Sequence, residues 1–586
     1  MYKNYQKIMK RNTFLIFKLF NFYILAAAML LTSCADMLET ESELVDYEKD
    51  NTLNHPTDSV YSVMGIINKM QIIADRSVLL GEVRGDLVSP TEAASADLKR
   101  LANFDLAQDN KYNQVSDYYA VINNCNYYLA YIDTTLQRRG RVLFEREYAA
   151  VKAFRAWTYL ELVKAYGKVP LVTTPMMTER EANYALSITP SNIKEVCQYF
   201  IDDLKPLAEV KVPDFGTIGD YKSVDFFLPI KALLGDLYLW SEQYKDAAFW
   251  YHEYLNDQDK VIMMEKDNRV FWNSISEYLT PRNTYQVDKT EEILSYIPME
   301  TQIFDGNVSD LINVFCSTKN NNYYAQLIPS EAIYQLSNSQ YYCTEHKTDV
   351  AVDTVYAPRT GFLSNIYLGD LRLSAVFSEK SVEGQDSYSE YSSLRHENKK
   401  FMNNSSLTTK DRIITYRSPM VYLRYAEALN RANYPSSAFA VLKYGLCAEH
   451  LLNYVDPREQ AAAGDLIVFR SDFNHDNTVG IHSRGSGDSH CNDKYYSMPM
   501  PEEAQATYED TVKCQIPLVE DLIINEMALE GSFEGNRFYD LLRVASRPDR
   551  DASYLANRIA LRNGSDNATL KALLMNKDNW FLPLPR

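Results

Sequence analysis

The chain has 586 residues, 46% of them hydrophobic and 44 of them tyrosine, with a formal net charge of −18 at pH 7. A polypeptide this long buries a sufficient core without disulfide staples. The seven cysteines besides Cys34 (Cys125, Cys197, Cys316, Cys343, Cys447, Cys491 and Cys514) are scattered without C-x-x-C spacing, so no disulfide framework is expected. The acidity, with no basic stripe, argues against a nucleic-acid binder, whose affinity rests on Lys and Arg set against phosphates.

Residues 1–33 carry five Lys or Arg and no acid, and Phe22 to Leu31 forms an apolar core. A positive n-region followed by a short h-region reads as a secretory signal. An apolar run this short does not reach the ~20 residues that span a bilayer. The segment closes on Leu31-Thr32-Ser33-Cys34, which resembles the bacterial lipobox, so Cys34 is expected to become the lipidated N-terminal residue. The alternative is an ordinary cleaved signal with an incidental cysteine. Two or three acyl chains would hold the protein firmly at a membrane, since each buried CH2 contributes ~0.8 kcal/mol. Loss of residues 1–33 takes the formal charge from −18 to −23. Residues 34–50, with Asp36, Glu39, Glu41, Glu43, Asp46, Glu48 and Asp50, read as an acidic solvated tether.

Residues 51–586 read as a single all-α domain, a TPR-like helical bundle with long irregular loops. Arg84-Gly85-Asp86 is a short string expected by chance and is given no adhesive meaning. Phe144 to Leu171 is a strong helix pattern that Gly167 and Pro170 should stop. Pro229 to Leu255 reads as a helix pair, with Gly235, Tyr238, Ala247 and Tyr251 at the small-aromatic-small-aromatic offsets of a tetratricopeptide unit. Val421 to Leu446 repeats the pattern, with Ala426 and Ala438 separated as Gly235 and Ala247 are. Small residues there let paired helices approach closely. The 34-residue period is not sustained, so a bundle is expected and not a regular solenoid.

Between about Lys260 and Thr415 the helical period weakens and Tyr, Asn, Ser and Asp accumulate, as in Asn320-Asn321-Asn322-Tyr323-Tyr324. A second irregular insertion runs from Tyr454 to Met500. Segments of this kind inside a compact chain are functional or disordered, and their aromatic content argues against disorder. Flat tyrosine rings stack on sugar faces while amides and carboxylates bridge hydroxyls; the bland alternative is that each ring packs its loop onto the scaffold. Candidate ligand contacts in the first insertion are Trp272, Tyr278, Tyr296, Tyr323, Tyr324, Tyr341, Tyr342 and Tyr391. In the second, Asp472, Asn474 and Asp476 match the opening of an EF-hand-type calcium loop. Asn477 stands where that loop needs Gly, and Ser483 where it needs a bidentate Glu. The pattern reads as a turn-forming Asx loop, with weak calcium binding as the alternative and no other cofactor expected. His482, His490 and Cys491 fit no standard zinc spacing.

From Glu526 to Val544 the charges fall at helical spacing. On one continuous helix Glu526, Glu530, Glu534, Arg537 and Asp540 share a wedge of about 120°, with Phe533 and Leu541 inside it. A face that mixes charges with large apolar groups is buried, and buried charges must be paired. The enzymatic alternative is a glycosidase carboxylate pair ~5–9 Å apart. Its general acid needs a raised pKa, which an adjacent Arg opposes. These residues therefore read as a structural ion-pair ladder, and the protein as a non-enzyme.

The lipobox, Arg146 to Leu171, the two TPR-like units, Asn525 to Arg543 and the terminal Trp580-Phe581-Leu582-Pro583-Leu584-Pro585 occur in that order. Together they resemble the SusD/RagB family of Bacteroidetes outer-membrane nutrient-uptake lipoproteins. The most specific pieces are Glu530-Gly531, Phe533-Glu534-Gly535-x-Arg537-Phe538-x-Asp540-Leu541 and Tyr166-Gly167-x-Val169-Pro170-Leu171. The resemblance implies a lipid-anchored lid, facing the cell surface, on a SusC-like TonB-dependent transporter barrel. It implies an oligosaccharide or polysaccharide ligand, with a peptide as the alternative, and transfers no ligand-contact residue. A surface glycoside hydrolase is the remaining alternative. The insertion Asp472 to Cys491 lies outside the core pattern.

Overall fold

The structure is a computed structural model. It describes residues 53 and 55–584, apart from 258–261, 263, 265–266, 274–279, 284, 287, 302–305, 348–349, 351, 357–368, 382–393, 404–407, 472, 474–479 and 488–492. The signal, Cys34 and the acidic tether lie outside the described residues, as do Tyr278, Tyr391, Asp472, Asn474 and Asp476.

The body is all-α, and each helix is set by local chemistry. Helix α1 (Pro56–Val83) starts with Pro56 in its first turn and the His55 side chain accepting from the Thr57 amide. Helices α2 (Val115–Tyr131) and α3 (Glu145–Tyr166) form an antiparallel pair. Helix α3 stops at Gly167 (φ +76°), as its sequence predicts, because a glycine tolerates the left-handed turn. Helix α4 (Ile193–Leu204) carries a capping box between Asn192 and Glu195.

The expected TPR-like pairs follow as α5 (Ile230–Trp240) with α6 (Tyr244–Leu255), and α7 (Ser418–Arg431) with α8 (Pro435–Lys443). At Gly235 an added Cβ would sit 2.5 Å from the Tyr251 ring. The small residue is therefore a steric requirement of that pair. The layers continue in sequence, α2 against α3, α4, α5, α6 and α7, and both α7 and α8 rest on α9 (Tyr508–Gly531).

Strands among the described residues form only two-stranded ribbons. One of them, β1 (Ile293–Pro298) with β2 (Arg412–Arg417), closes the base of the first insertion. The insertion itself carries three hairpins and short helices such as Glu331–Ser339. Cys125, Cys197, Cys316, Cys447 and Cys514 carry reduced thiols. Cys343 is disulfide-bonded. No helix among the described residues is long and apolar enough to cross a membrane.

The continuous helix expected from Glu526 to Val544 is broken. Helix α9 ends at Gly531 and α10 (Arg537–Ala545) begins six residues later. Phe533 (φ +67°) and Gly535 (φ +83°) turn the chain between them. The cause is a backbone contact: a Cβ on Gly81 of α1 would lie 1.7 Å from the Gly535 carbonyl oxygen, and one on Gly535 would lie 2.6 Å from the Val78 Cα. The Gly535 amide also donates to Glu82 Oε1 at 2.8 Å.

Candidate functional site

Because the helix breaks, the ladder does not pair with itself along one face; apart from Asp540, which takes Arg543 of its own helix, its partners come from distant segments. Glu530 is fully buried and accepts from Arg417 Nη1 (2.6 Å), Arg372 Nη1 (3.0 Å) and the Tyr285 hydroxyl (3.1 Å). Arg484 Nε lies 3.5 Å from its other oxygen. Burial alone would raise this carboxyl, but the Arg484, Arg417 and Arg372 guanidiniums outweigh it and hold Glu530 well below the carboxylate range. Glu526 pairs with Arg372 and with His482 Nδ1 (3.0 Å), and Glu534 with Lys400 Nζ (2.6 Å) and Arg417 Nε (2.9 Å). Both are also held low against the opposing effect of burial, Glu526 chiefly by Arg372 and Glu534 by Arg417 and Lys400.

The remaining two ladder residues serve other joints. Arg537 forks onto Asp86 at 2.5 and 2.9 Å, while Asp540 accepts from Arg543, which also grips Glu427. The Arg84-Gly85-Asp86 string is thus interior. Arg84 is 0% exposed and donates to the Trp580 carbonyl (2.9 Å) and the Tyr539 hydroxyl (3.0 Å). The terminal segment then reaches α3: the Leu582 amide donates to the Ala165 carbonyl, and a Cβ on Gly167 would meet the Phe581 ring at 2.8 Å. The separated sequence motifs therefore meet at one junction of α1, α3, α10 and the C-terminus.

An accessible site lies elsewhere, in the first insertion. An open cleft of about 480 Å³ is lined by Val308, Asp310, Asn313, Lys319, Tyr323 and Thr409, among others. The asparagine run builds its floor. Asn321 Nδ2 donates to the carbonyls of Asn313 (2.9 Å) and Cys316 (2.6 Å), its Oδ1 accepts from the Thr318 amide (2.8 Å), and the Tyr323 amide donates to the Thr318 carbonyl (2.7 Å). Asn322 (φ +54°) and Tyr323 (φ +62°) are consecutive left-handed residues. Asparagine tolerates that conformation readily; for Tyr323 it costs of order 1 kcal/mol, a form of strain that concentrates at ligand sites. The Tyr323 ring is half-buried with the Arg395 guanidinium 5.1 Å from its centroid.

The opposite wall is pinned to α1. Asp75 accepts from the Ser309 hydroxyl and the Asp310 amide, both at 2.7 Å, and Gln71 accepts from the Asn307 amide (2.9 Å). Burial pushes the Asp75 carboxyl up to about 6 against those hydrogen bonds. A ring platform, an amide, a carboxylate, an ammonium and a hydroxyl thus converge on a rigid frame, the combination that recognises a polyhydroxylated ligand.

The other candidate aromatics divide. Tyr296 is 3% exposed, edge-on to Phe226 (5.6 Å) and under Arg412, and Tyr342 is 1% exposed. Both are core residues, contrary to expectation: Tyr296 points inward from β1, and Tyr342 points inward just after the exposed Tyr341. Tyr324 and Tyr341 are exposed, and Tyr341 stacks face to face on Tyr495 at 3.7 Å. Trp272 lies on a ribbon strand opposite Pro281. Sequence reasoning missed Tyr495, Asp310 and Asn313, which no local pattern singled out.

No protein-family model and no curated protein matches the sequence. Solved structures do. A SusD superfamily protein from Bacteroides vulgatus superposes with a TM-score of 0.55 at 14% identity, covering 90% of this chain and 95% of that one. A SusD superfamily protein from Bacteroides fragilis gives 0.54 at 16%, covering 89% and 95%. A SusD homologue from Bacteroides thetaiotaomicron gives 0.52 at 16%, covering 90% and 94%. The chain has the SusD fold. At this identity side chains do not transfer, so the junction and the cleft stand on their own geometry. Within the SusD fold of this chain, the ion-pair cluster belongs to the frame and the Tyr323 cleft to the accessible surface.

Proposed function

We propose that this protein is a cell-surface lipoprotein, anchored through Cys34, that captures an oligosaccharide or polysaccharide and hands it to a SusC-like TonB-dependent transporter without chemistry. The single observation that carries the binding step is the Tyr323 cleft. It is open to solvent, lined by polar groups suited to hydroxyls, and held by hydrogen bonds to α1. The SusD fold and the signal with its lipobox-like ending support the surface location.

The ladder carboxylates support a binding role over a hydrolytic one at that cluster. A glycosidase acid must hold a proton near neutrality, whereas Glu526, Glu530 and Glu534 are pinned in the ionised state by Arg372, Arg417, Arg484 and Lys400.

Affinity electrophoresis tests the reading. Neutral and acidic polysaccharides cast into native gels should retard the protein, with no reducing ends released. Retardation absent with every polysaccharide, together with binding to peptide pools, would move the ligand to the peptide class.

A further inference from the structure

A second open cleft, of about 460 Å³, lies between the α7–α8 turn and the middle of α9, lined by Arg431, Asn433, Lys513, Pro517, Asp549 and Arg550 together with Ile516. Its charge is unusual for so acidic a chain. Arg431, Arg547 and Arg550 converge on one fully buried carboxylate, Glu520: Arg547 Nη2 donates to Oε1, Arg550 Nη2 to Oε2 at 3.0 Å, and Arg431 Nη1 stands 3.9 Å away. One carboxylate cannot satisfy three guanidiniums. Arg431 Nε and Arg547 Nη1 are shut off from solvent without an acceptor among the described residues. The other counter-charge, Asp549, is 52% exposed and holds Arg431 Nη2 at 2.8 Å from the cleft's open side. Lys513 adds a 73% exposed ammonium paired only loosely, at 3.3 Å, with Asp510.

We infer that this cleft binds an oxyanion of an acidic saccharide, the carboxylate of a uronic acid or a sulfate ester, with Arg550 and Arg431 as its fork and Lys513 as its outer charge. This rests on the saccharide reading above. Asp549 occupies the place of the ligand's anion in the free protein, and ligand binding displaces it. Arg550, already held by Glu520 through Nε (3.2 Å) and Nη2 (3.0 Å), loses little freedom on capturing a second oxyanion, and charge-assisted pairs of this kind are stronger than neutral hydrogen bonds.

Calorimetry at low ionic strength with oligogalacturonate, a sulfated galacto-oligosaccharide and the neutral galacto-oligosaccharide tests it on the purified protein. Both acidic ligands should bind about tenfold more tightly than the neutral one, a margin that shrinks with added salt. Arg550→Gln should erase the margin. Lys513→Gln, at an exposed position that leaves the fold intact, should reduce it several-fold. Asp549→Asn, which removes the competitor, should tighten acidic ligands and leave the neutral one unchanged. Equal binding of acidic and neutral ligands overturns this inference alone, as does a margin that survives Arg550→Gln. Binding of no saccharide at all overturns the functional reading as well.

Discussion

Replacing Glu530 by Gln should cost about 3–5 kcal/mol of folding stability, the range for removing one partner of a buried ion pair. Glutamine keeps the size and one acceptor, so the loss combines the charge with one accepted hydrogen bond. In the wild type Glu530 holds Arg417 at 2.6 Å, Arg372 at 3.0 Å and Arg484 at 3.5 Å, all within a site closed to water. Arg372 retains Asp370 (2.7 Å) and Glu526, and Arg484 retains Glu292 (2.7 Å). Those remaining pairs place the effect at the lower end, near ~3 kcal/mol. Urea unfolding followed by tryptophan fluorescence reads it as a lower midpoint at unchanged slope. Because the folded carboxyl lies below its unfolded value of ~4.3, its contribution is complete above that pH and fades as pH falls below it. The gap between wild type and variant should therefore narrow between about pH 5 and pH 2. A loss under ~1 kcal/mol at pH 7 would refute the claim that this carboxylate pairs with the buried Arg417, Arg372 and Arg484 guanidiniums.

Three further outcomes follow from other parts of the molecule. Gly235→Val should destabilise by ~1–3 kcal/mol in the same assay, since its Cβ would meet the Tyr251 ring at 2.5 Å. Burial pushes the Glu82 carboxyl up to about 7, so its folded form holds a proton that its unfolded form has lost between about pH 4.3 and 7, and stability falls as pH rises through that window. Glu82→Gln should therefore match the wild type near pH 4.5 and exceed it at pH 8, by up to ~3 kcal/mol; an equal difference at both pH values would contradict this. Tyr323→Ala should weaken saccharide binding about tenfold, the loss of ~1.4 kcal/mol, while leaving the urea midpoint close to wild type.

Much of the frame was legible because it obeys local rules. The stop at Gly167 is written in its own few residues, and the close pair at Gly235 and Tyr251 within one helical hairpin. The break after Gly531 was obscured by charges that keep helical spacing across it. Gly531 and Gly535 flanking Phe533 were the available signal, but the reason for the turn, Gly81 on α1, lies far away in sequence. The partners of Glu530 were hidden for the same reason, since Arg372 and Arg484 come from two separate short helices and Arg417 from the end of β2. Tyrosines of the insertion could not be sorted from composition: Tyr341 and Tyr342 are neighbours, yet one is 44% and the other 1% exposed. The asparagine run held an unused signal, since Asn322 is a residue type that tolerates the left-handed turn preceding Tyr323.

The most direct test of saccharide capture is calorimetry of the protein beginning at Ala35 against pooled polysaccharides and pooled peptides, run beside the Tyr323→Ala variant. The account predicts heat with a polysaccharide pool, no product formed, and a clear loss of that heat in the variant. Heat with peptides alone, or polysaccharide binding untouched by Tyr323→Ala, would contradict it.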